Sequence, residues 1–221
     1  VALMDRWVQL SLSVELLQWL VFAMISVSFA VTGGGVNRLR NALAAKNREL
    51  ANAVEKVREM AIRDDLTGLF NRRHLLEILE RQRALSDGKG VPFAVCYVDL
   101  DHFKKINDRH GHDWGDRVLR QFSELALSGM RDGDYFGRLG GEEFLLVLPQ
   151  SDAHGALLVA ERLRQRWREQ RFDAQGGPAT VSLSVGVADY RDGESVDELL
   201  NRADQGLYKA KSGGRDQSQV A

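Results

Sequence analysis

Hydrophobic and polar positions divide the chain into three stretches with different periods. From Leu16 to Asn37 run 22 residues without a charge, LLQWLVFAMISVSFAVTGGGVN. A helix of that length covers about 33 Å, close to the hydrocarbon thickness of a bilayer. Trp19 near one end suits a membrane interface, and Arg38, Arg40, Lys46 and Arg48 beyond the other place that end in the cytoplasm. The run predicts a transmembrane helix over 16–37, although Ser26, Ser28, Thr32 and the glycines 33–35 dilute it; a buried or partner-facing helix is the alternative. Residues 38–63 are polar, helix-prone and free of Gly and Pro. Val36, Leu43, Leu50 and Val57 recur every seven residues, with Asn47, Val54 and Ala61 at the complementary positions. That spacing predicts a short two-stranded coiled coil, the first set at d and the second at a.

From Asp64 onward the period alternates between helix and strand. Residues 71–85 read as a helix with Leu75, Leu76, Ile78 and Leu79 on its apolar side, and 92–100 (PFAVCYVDL) as a strongly apolar strand. Helices follow over 102–109 and 114–128, and strands over 134–139 and 142–149 join through Gly140-Gly141, a composition suited to a hairpin turn. A helix over 153–170, a strand over 179–190 and a helix over 196–211 complete the order β-α-α-β-β-α-β-α. A hairpin among crossover-linked strands predicts an α/β (α+β) fold with a mixed central sheet and flanking helices.

Composition narrows the function without naming it. The 221 residues are 44% hydrophobic and 28% charged, which is globular rather than disordered, and the net charge of −1 gives no basic field for nucleic acid. One cysteine, Cys96, excludes an internal disulfide and sits in an apolar strand, where a buried core thiol is expected. The chain starts at Val1, so it reads as a fragment: 1–15 the end of an upstream region, 16–37 the membrane helix, 38–63 the signalling helix, 64–215 the catalytic domain and 216–221 a tail.

The candidate chemistry lies at strand ends. Alternation puts Val95, Tyr97 and Asp99 on one face of the first long strand, with Asp99 at its carboxyl end, where open α/β sheets bind ligands. Asp101 suits the N-cap of the following helix. Glu142 and Glu143 follow the glycines, and alternation sends them to opposite faces, so one of them can meet Asp99. Carboxylates brought together there repel unless a cation lies between them, and hard oxygen ligands suit Mg²⁺ or Mn²⁺ carrying a phosphate substrate. No His or Cys cluster has zinc spacing, and no Walker-type lysine loop is present.

Arg138-Leu139-Gly140-Gly141-Glu142-Glu143-Phe144 resembles the signature loop of the GGDEF family in its GGEEF form. Five further segments resemble the family's motifs in the same order: 65–73 (DLTGLFNRR), 99–108 (DLDHFKKIND), 111–116 (GHDWGD), 184–187 (SVGV) and 203–215 (ADQGLYKAKSGGR). The resemblance implies a cyclase/polymerase-palm-like fold and a diguanylate cyclase, which joins two GTP into cyclic di-GMP in a homodimer. It implies that Asp99 and Glu142, with the carbonyl of Leu100, hold the metal, and that Glu143 supports it. Glu142 becomes the candidate proton acceptor, and Lys104 steadies charge on the phosphates that the backbone at Phe103, Gly140 and Gly141 cradles. Asn107 and Asp116, with His112 nearby, recognise guanine, while Lys211 and Arg215 contact terminal phosphates. Arg131 and Asp134, with five residues between Asp134 and Gly140, resemble the family's product-binding inhibitory site, and Arg162 is a further candidate there. The implied location is the bacterial inner membrane with the catalytic domain in the cytoplasm. Competing readings are an inactive domain that senses cyclic di-GMP through Arg131 and Asp134, a structural dimerisation unit, and a mixed-nucleotide cyclase, against which Asp116 favours guanine.

Overall fold

The computed structural model describes the backbone of residues 2–174 and 177–221, and their side chains except at 2–13, 30–39, 56–58, 60, 173, 174 and 177–179. A first helix, α1, spans Ala2–Ile62, and contacts divide the chain into two units at Arg58 and Glu59. In the first unit Leu16, Leu17, Trp19, Leu20, Phe22, Met24 and Ile25 are all exposed. Seven such side chains within ten residues cover every side of a helix, a pattern that soluble helices do not leave bare. Among the described residues no helix is long and apolar enough to cross a membrane; the expected span 16–37 runs into 30–37, whose side chains lie outside the described residues. Of the heptad seam, Leu43, Leu50 and Val54 are exposed, while Val36 and Val57 lie outside the described side chains.

The second unit begins with β1 (Phe70–Asn71), α2 (Arg72–Lys89) and β2 (Phe93–Leu100). Next come α3 (Phe103–His110), α4 (His112–Leu127), β3 (Tyr135–Gly140), β4 (Glu143–Pro149) and α5 (Ala153–Arg168). The chain closes with β5 (Phe172–Ala174), β6 (Gly177–Ala179), β7 (Leu183–Asp189), α6 (Val196–Ser212) and β8 (Ser218–Val220). Local signals start these helices. Asn71 accepts from the His74 amide at α2, Asp152 from the Gly155 amide at α5, and Ser195 with Glu198 forms a capping box at α6.

Six strands form a mixed sheet in the order β1-β3-β4-β2-β7-β8, with β2 antiparallel to both β4 and β7. The expected α/β (α+β) sheet with flanking helices is therefore present. Two edge strands add to it: β1 runs parallel to β3 and β8 parallel to β7. At two and three residues they are too short to carry a period. The strand expected over 179–190 is β7 alone, and residues 177–179 pair instead with 172–174 in a separate hairpin.

Alternation along β2 sorts the core into two. Ala94, Cys96, Val98 and Leu100 pack with Phe103, Trp114, Phe122, Ala160 and Trp167 from α3, α4 and α5, whereas Val95 packs with Leu75, Ile78, Leu79, Leu199 and Ala203 from α2 and α6. Cys96 is buried as expected, and burial pushes its thiol up to about 12. Phe122 meets Phe144 and Trp167 edge-on at 4.8 and 5.0 Å between ring centroids, so its truncation to Ala should cost about 3–5 kcal/mol. Helix α6 comes especially close to the sheet. A Cβ on Gly186 would collide with Ala203 O and Leu207 N, and this close approach carries the far end of α6 to the carboxyl end of β2.

Candidate active site

Asp99 stands at the carboxyl end of β2, only 6% exposed, directly across from Glu143 of β4 and Ser184 of β7. The Lys211 Nζ on α6 lies 2.7 Å from its Oδ2. Burial pushes the Asp99 carboxyl up, the hydrogen bond and charge of Lys211 pull it down, and Glu142 and Glu143 push it up again, leaving it at about 6. A carboxyl held that high marks a desolvated point with surplus negative charge. Of the two signature glutamates, Glu143 is the one placed opposite Asp99 in the ladder. Glu142 occupies the turn, where its carbonyl accepts from the Leu100 amide at 3.3 Å. Among the described residues no three His, Cys, Asp or Glu side chains are grouped so as to hold a metal ion. The Lys211 ammonium supplies the positive charge at Asp99 instead, and the donors there, carboxylates and a backbone strand end, are the hard oxygens that a divalent cation takes.

The turn bearing Gly140, Gly141 and Glu142 is braced from outside. Arg138 donates through Nε and Nη2 to the Gly141 carbonyl at 2.9 and 2.7 Å, and through Nη1 to Asp64 at 3.1 Å. Asp64 in turn accepts from the Thr67 amide and hydroxyl at 3.0 and 2.7 Å. Burial works against its charge, but the bonds from Thr67 and Arg138 outweigh it and hold the carboxyl below the usual range.

Helix α3 starts at His102, a non-glycine residue with φ 58°, and has no side-chain cap. The expectation that Asp101 caps it is corrected: the Asp101 carboxylate accepts from Ser182 Oγ, Ser184 Oγ and the Asp216 amide. Phe103 is buried, while Lys104 and His112 are exposed. The Asn107 Oδ1 is buried without a hydrogen-bond partner. It rests against Gly115, where a Cβ would collide with it, next to Asp116, whose carboxylate is 4.0 Å from Arg120. A buried acceptor left open costs free energy unless a ligand or water donates to it. Arg215 is half-exposed, with its Nε 4.0 Å from Asp101 rather than beside Asp99.

Arg131, Asp134 and Arg162 line one cleft of about 650 Å³ together with Gln150, Ser151 and Asp152. Arg131 Nε donates to Asp134 at 3.0 Å and Nη2 to the Pro149 carbonyl at 2.7 Å. Arg162 donates to the Gly129 carbonyl at 3.3 Å. Asp134 immediately precedes β3, so this cleft and the Gly140-Gly141 turn occupy opposite ends of one hairpin.

Sequence reasoning did not find the brace made by Arg138 and Asp64, nor the environment of Asp101. Arg138 and Asp101 lie inside motifs already singled out and Asp64 just before one, but a contact across 74 residues, such as Arg138 to Asp64, leaves no trace in local spacing.

Comparison with known proteins places the chain. Residues 61–217 match the family described as diguanylate cyclase, GGDEF domain. The chain is 35% identical over 181 residues to diguanylate cyclase DgcP of Pseudomonas aeruginosa, covering 82% of this chain and 27% of that one. It is 39% identical over 170 residues to response regulator PleD of Caulobacter vibrioides, covering 76% and 37%. The crystal structure of the coiled coil and GGDEF domain of DgcB from Caulobacter crescentus in complex with c-di-GMP superposes with a TM-score of 0.77 at 29% identity, covering 83% of this chain and 97% of that one. The chain thus spans about a quarter to two fifths of the length of the two curated relatives. With its signature hairpin set against a buried strand-end aspartate, and more than half its length matched, the chain belongs to the GGDEF diguanylate cyclase domain family.

Proposed function

We propose that this chain condenses two GTP molecules into cyclic di-GMP, releasing pyrophosphate. The observation that carries the reading is the meeting of Asp99 with the signature hairpin at the end of β2, where Asp99 pairs with Lys211 and feels the charges of Glu142 and Glu143. Asp99, the Leu100 carbonyl and Glu142 would hold Mg²⁺ or Mn²⁺, with Glu143 in support; the cation lowers the pKa of the attacking 3′-hydroxyl and screens the phosphates when bound. Glu142, in the turn whose backbone is bonded to Leu100, accepts the hydroxyl proton. The uncapped start of α3 leaves backbone N–H groups at Phe103 and Lys104 for phosphate oxygens. Lys104, Lys211 and Arg215 neutralise the triphosphate. The open Asn107 acceptor takes a donor from the guanine edge, and Asp116 takes another.

One domain holds one GTP, so the reaction requires two copies face to face. The heptad helix 38–63 supplies the pairing, and the apolar run 16–37 anchors the chain in the bacterial inner membrane with the catalytic domain in the cytoplasm; the exposed Leu16–Phe29 surface supports that anchor. Product binding in the Arg131–Asp134–Arg162 cleft inhibits the enzyme, because Arg131 can stack on guanine and fork onto phosphate. A receptor that only senses cyclic di-GMP has the same cleft but no use for the Asp99 cluster.

The deciding experiment is a progress curve with GTP and Mg²⁺, with product identified by mass. Wild type should make cyclic di-GMP and slow as it accumulates. Asp99→Asn and Glu142→Gln should lose turnover by about a hundredfold or more, and wild-type rates in either would sink the reading. Arg131→Ala should keep its initial rate but need roughly ten- to hundredfold more product for inhibition, the worth of a charged hydrogen bond. Equal inhibition of mutant and wild type would reduce Arg131 to a solvated turn residue.

A further inference from the structure

Asp101 lies two residues beyond Asp99 but in a different environment. Its side chain is 0% exposed. Ser182 Oγ donates to Oδ2 at 2.7 Å, Ser184 Oγ to Oδ1 at 2.8 Å, and the Asp216 backbone N–H to Oδ2 at 3.1 Å. The Asp101 amide returns a bond to the Ser182 carbonyl at 2.8 Å. A buried carboxylate requires donors of this kind, and here they reach Asp101, just past the end of β2, from two separate segments: residues 182–184 leading into β7 and the turn after α6.

That turn has an unusual backbone. Arg215 and Asp216 both have positive φ, 63° and 47°, which successive non-glycine residues adopt only where their surroundings over-determine it. The Arg215 amide bonds to the Ala210 carbonyl at 3.0 Å, and Arg164 and Arg168 hold the Asp216 carboxylate at 2.8 and 3.3 Å. Asp101 closes the turn from the inside. The result leaves the Arg215 side chain 42% exposed, with its Nε 4.0 Å from Asp101 Oδ1, four residues after the lysine that reaches Asp99.

We propose that Asp101 is a positioning residue for the terminal phosphates of the nucleotide: it fixes the turn at 213–216 and aims Arg215, so that Arg215 and Lys211 present their charges together. The inference rests on Arg215 being a phosphate ligand. Asp101 itself touches neither substrate nor metal.

The test is a double-mutant cycle read as KM and kcat for GTP. Asp101→Ala removes every acceptor, and KM should rise about tenfold while kcat changes less than about threefold. Asp101→Asn can keep an oxygen toward Ser182 and the Asp216 amide and donate to Ser184, so it should recover most of that loss. With Arg215→Ala already present, Asp101→Ala should add less than about twofold, because the group it aims is gone. A full tenfold addition in that background would show that Asp101 acts on the fold alone and would overturn the assignment. If Arg215→Ala leaves KM unchanged, the phosphate reading of Arg215 fails, and this inference with it. Should Asp101→Ala not fold, amide exchange in wild type decides. Protection of the Asp216 amide by about a hundredfold over an unstructured amide supports the tether, and exchange at the unstructured rate removes it.

Discussion

Burial and the two signature glutamates leave the Asp99 carboxyl at about 6, against 3.8 for the free group, even with Lys211 pulling it down. The folded chain therefore binds this proton more tightly than the unfolded chain does. In the absence of metal the group contributes stability that grows as pH falls from about 6 toward about 4 and is lost as pH rises through about 6. A cation competes with that proton and with the Lys211 ammonium for the same oxygens. Mn²⁺ titrated into the protein without nucleotide should bind progressively more weakly below about pH 6, approaching tenfold per unit. Lys211→Met removes the resident positive charge, and it should tighten Mn²⁺ binding at about pH 7.5 severalfold. Affinity flat between about pH 5 and 7.5 in both proteins would show that Asp99 is not among the ligands.

At the scale of elements, the signature hairpin is held at two points. Leu100 ties the turn to β2 through the Glu142 carbonyl, and Arg138 ties it to Asp64, just beyond the end of α1. Asn71 adds a second link to that helix end, donating to the Ala61 and Arg63 carbonyls at 2.8 and 3.2 Å while it caps α2. The helix end, the entry turn and the signature hairpin thus share one hydrogen-bonded network. Arg138→Ala should free the turn, lowering kcat about tenfold or more and, because the Gly141 backbone it holds belongs to the candidate phosphate cradle, raising KM for GTP severalfold. The charged hydrogen bonds it loses are worth roughly 1.5–3 kcal/mol each, so a matching fall in Tm is expected. Wild-type kcat together with a lowered Tm would make the brace structural only.

For the whole molecule, the proposed reaction turns on the meeting of two copies. Leu43, Leu50 and Val54 are exposed on α1 at heptad spacing, and apolar side chains so placed are buried by a second helix. Leu50→Glu with Val54→Glu should lower turnover at dilute protein and leave GTP binding per chain intact. Raising protein concentration should recover the rate, because mass action then does what the seam did. Turnover independent of concentration in the double variant would remove the seam from the dimer.

How much of this was legible beforehand differs by kind of interaction. The apolar run of β2 and the glycine-centred hairpin follow from alternation and turn chemistry, both of which act within a few residues and are therefore written in order along the chain. The signature loop and the positions of Asp99, Glu142, Asn107 and Arg131 were legible for the same reason: each sits in a short motif. Alternation alone left open which glutamate faces Asp99, and the bulge between Arg138 and Gly140 decided it by putting Glu143 in register. Asp101 was read as a cap because a carboxylate before a helix ordinarily is one. Only the packing of β7 and the α6–β8 turn, 81 to 115 residues away, turned it inward. The short strands β1 and β8 exist for the same reason, since their backbone partners are supplied by distant strands rather than by any pattern of their own. Local sequence determined which elements form and which chemical groups they carry. Tertiary structure decided which of those groups share a desolvated space, and it is there that Asp99 acquires its raised pKa and Lys211 its partner.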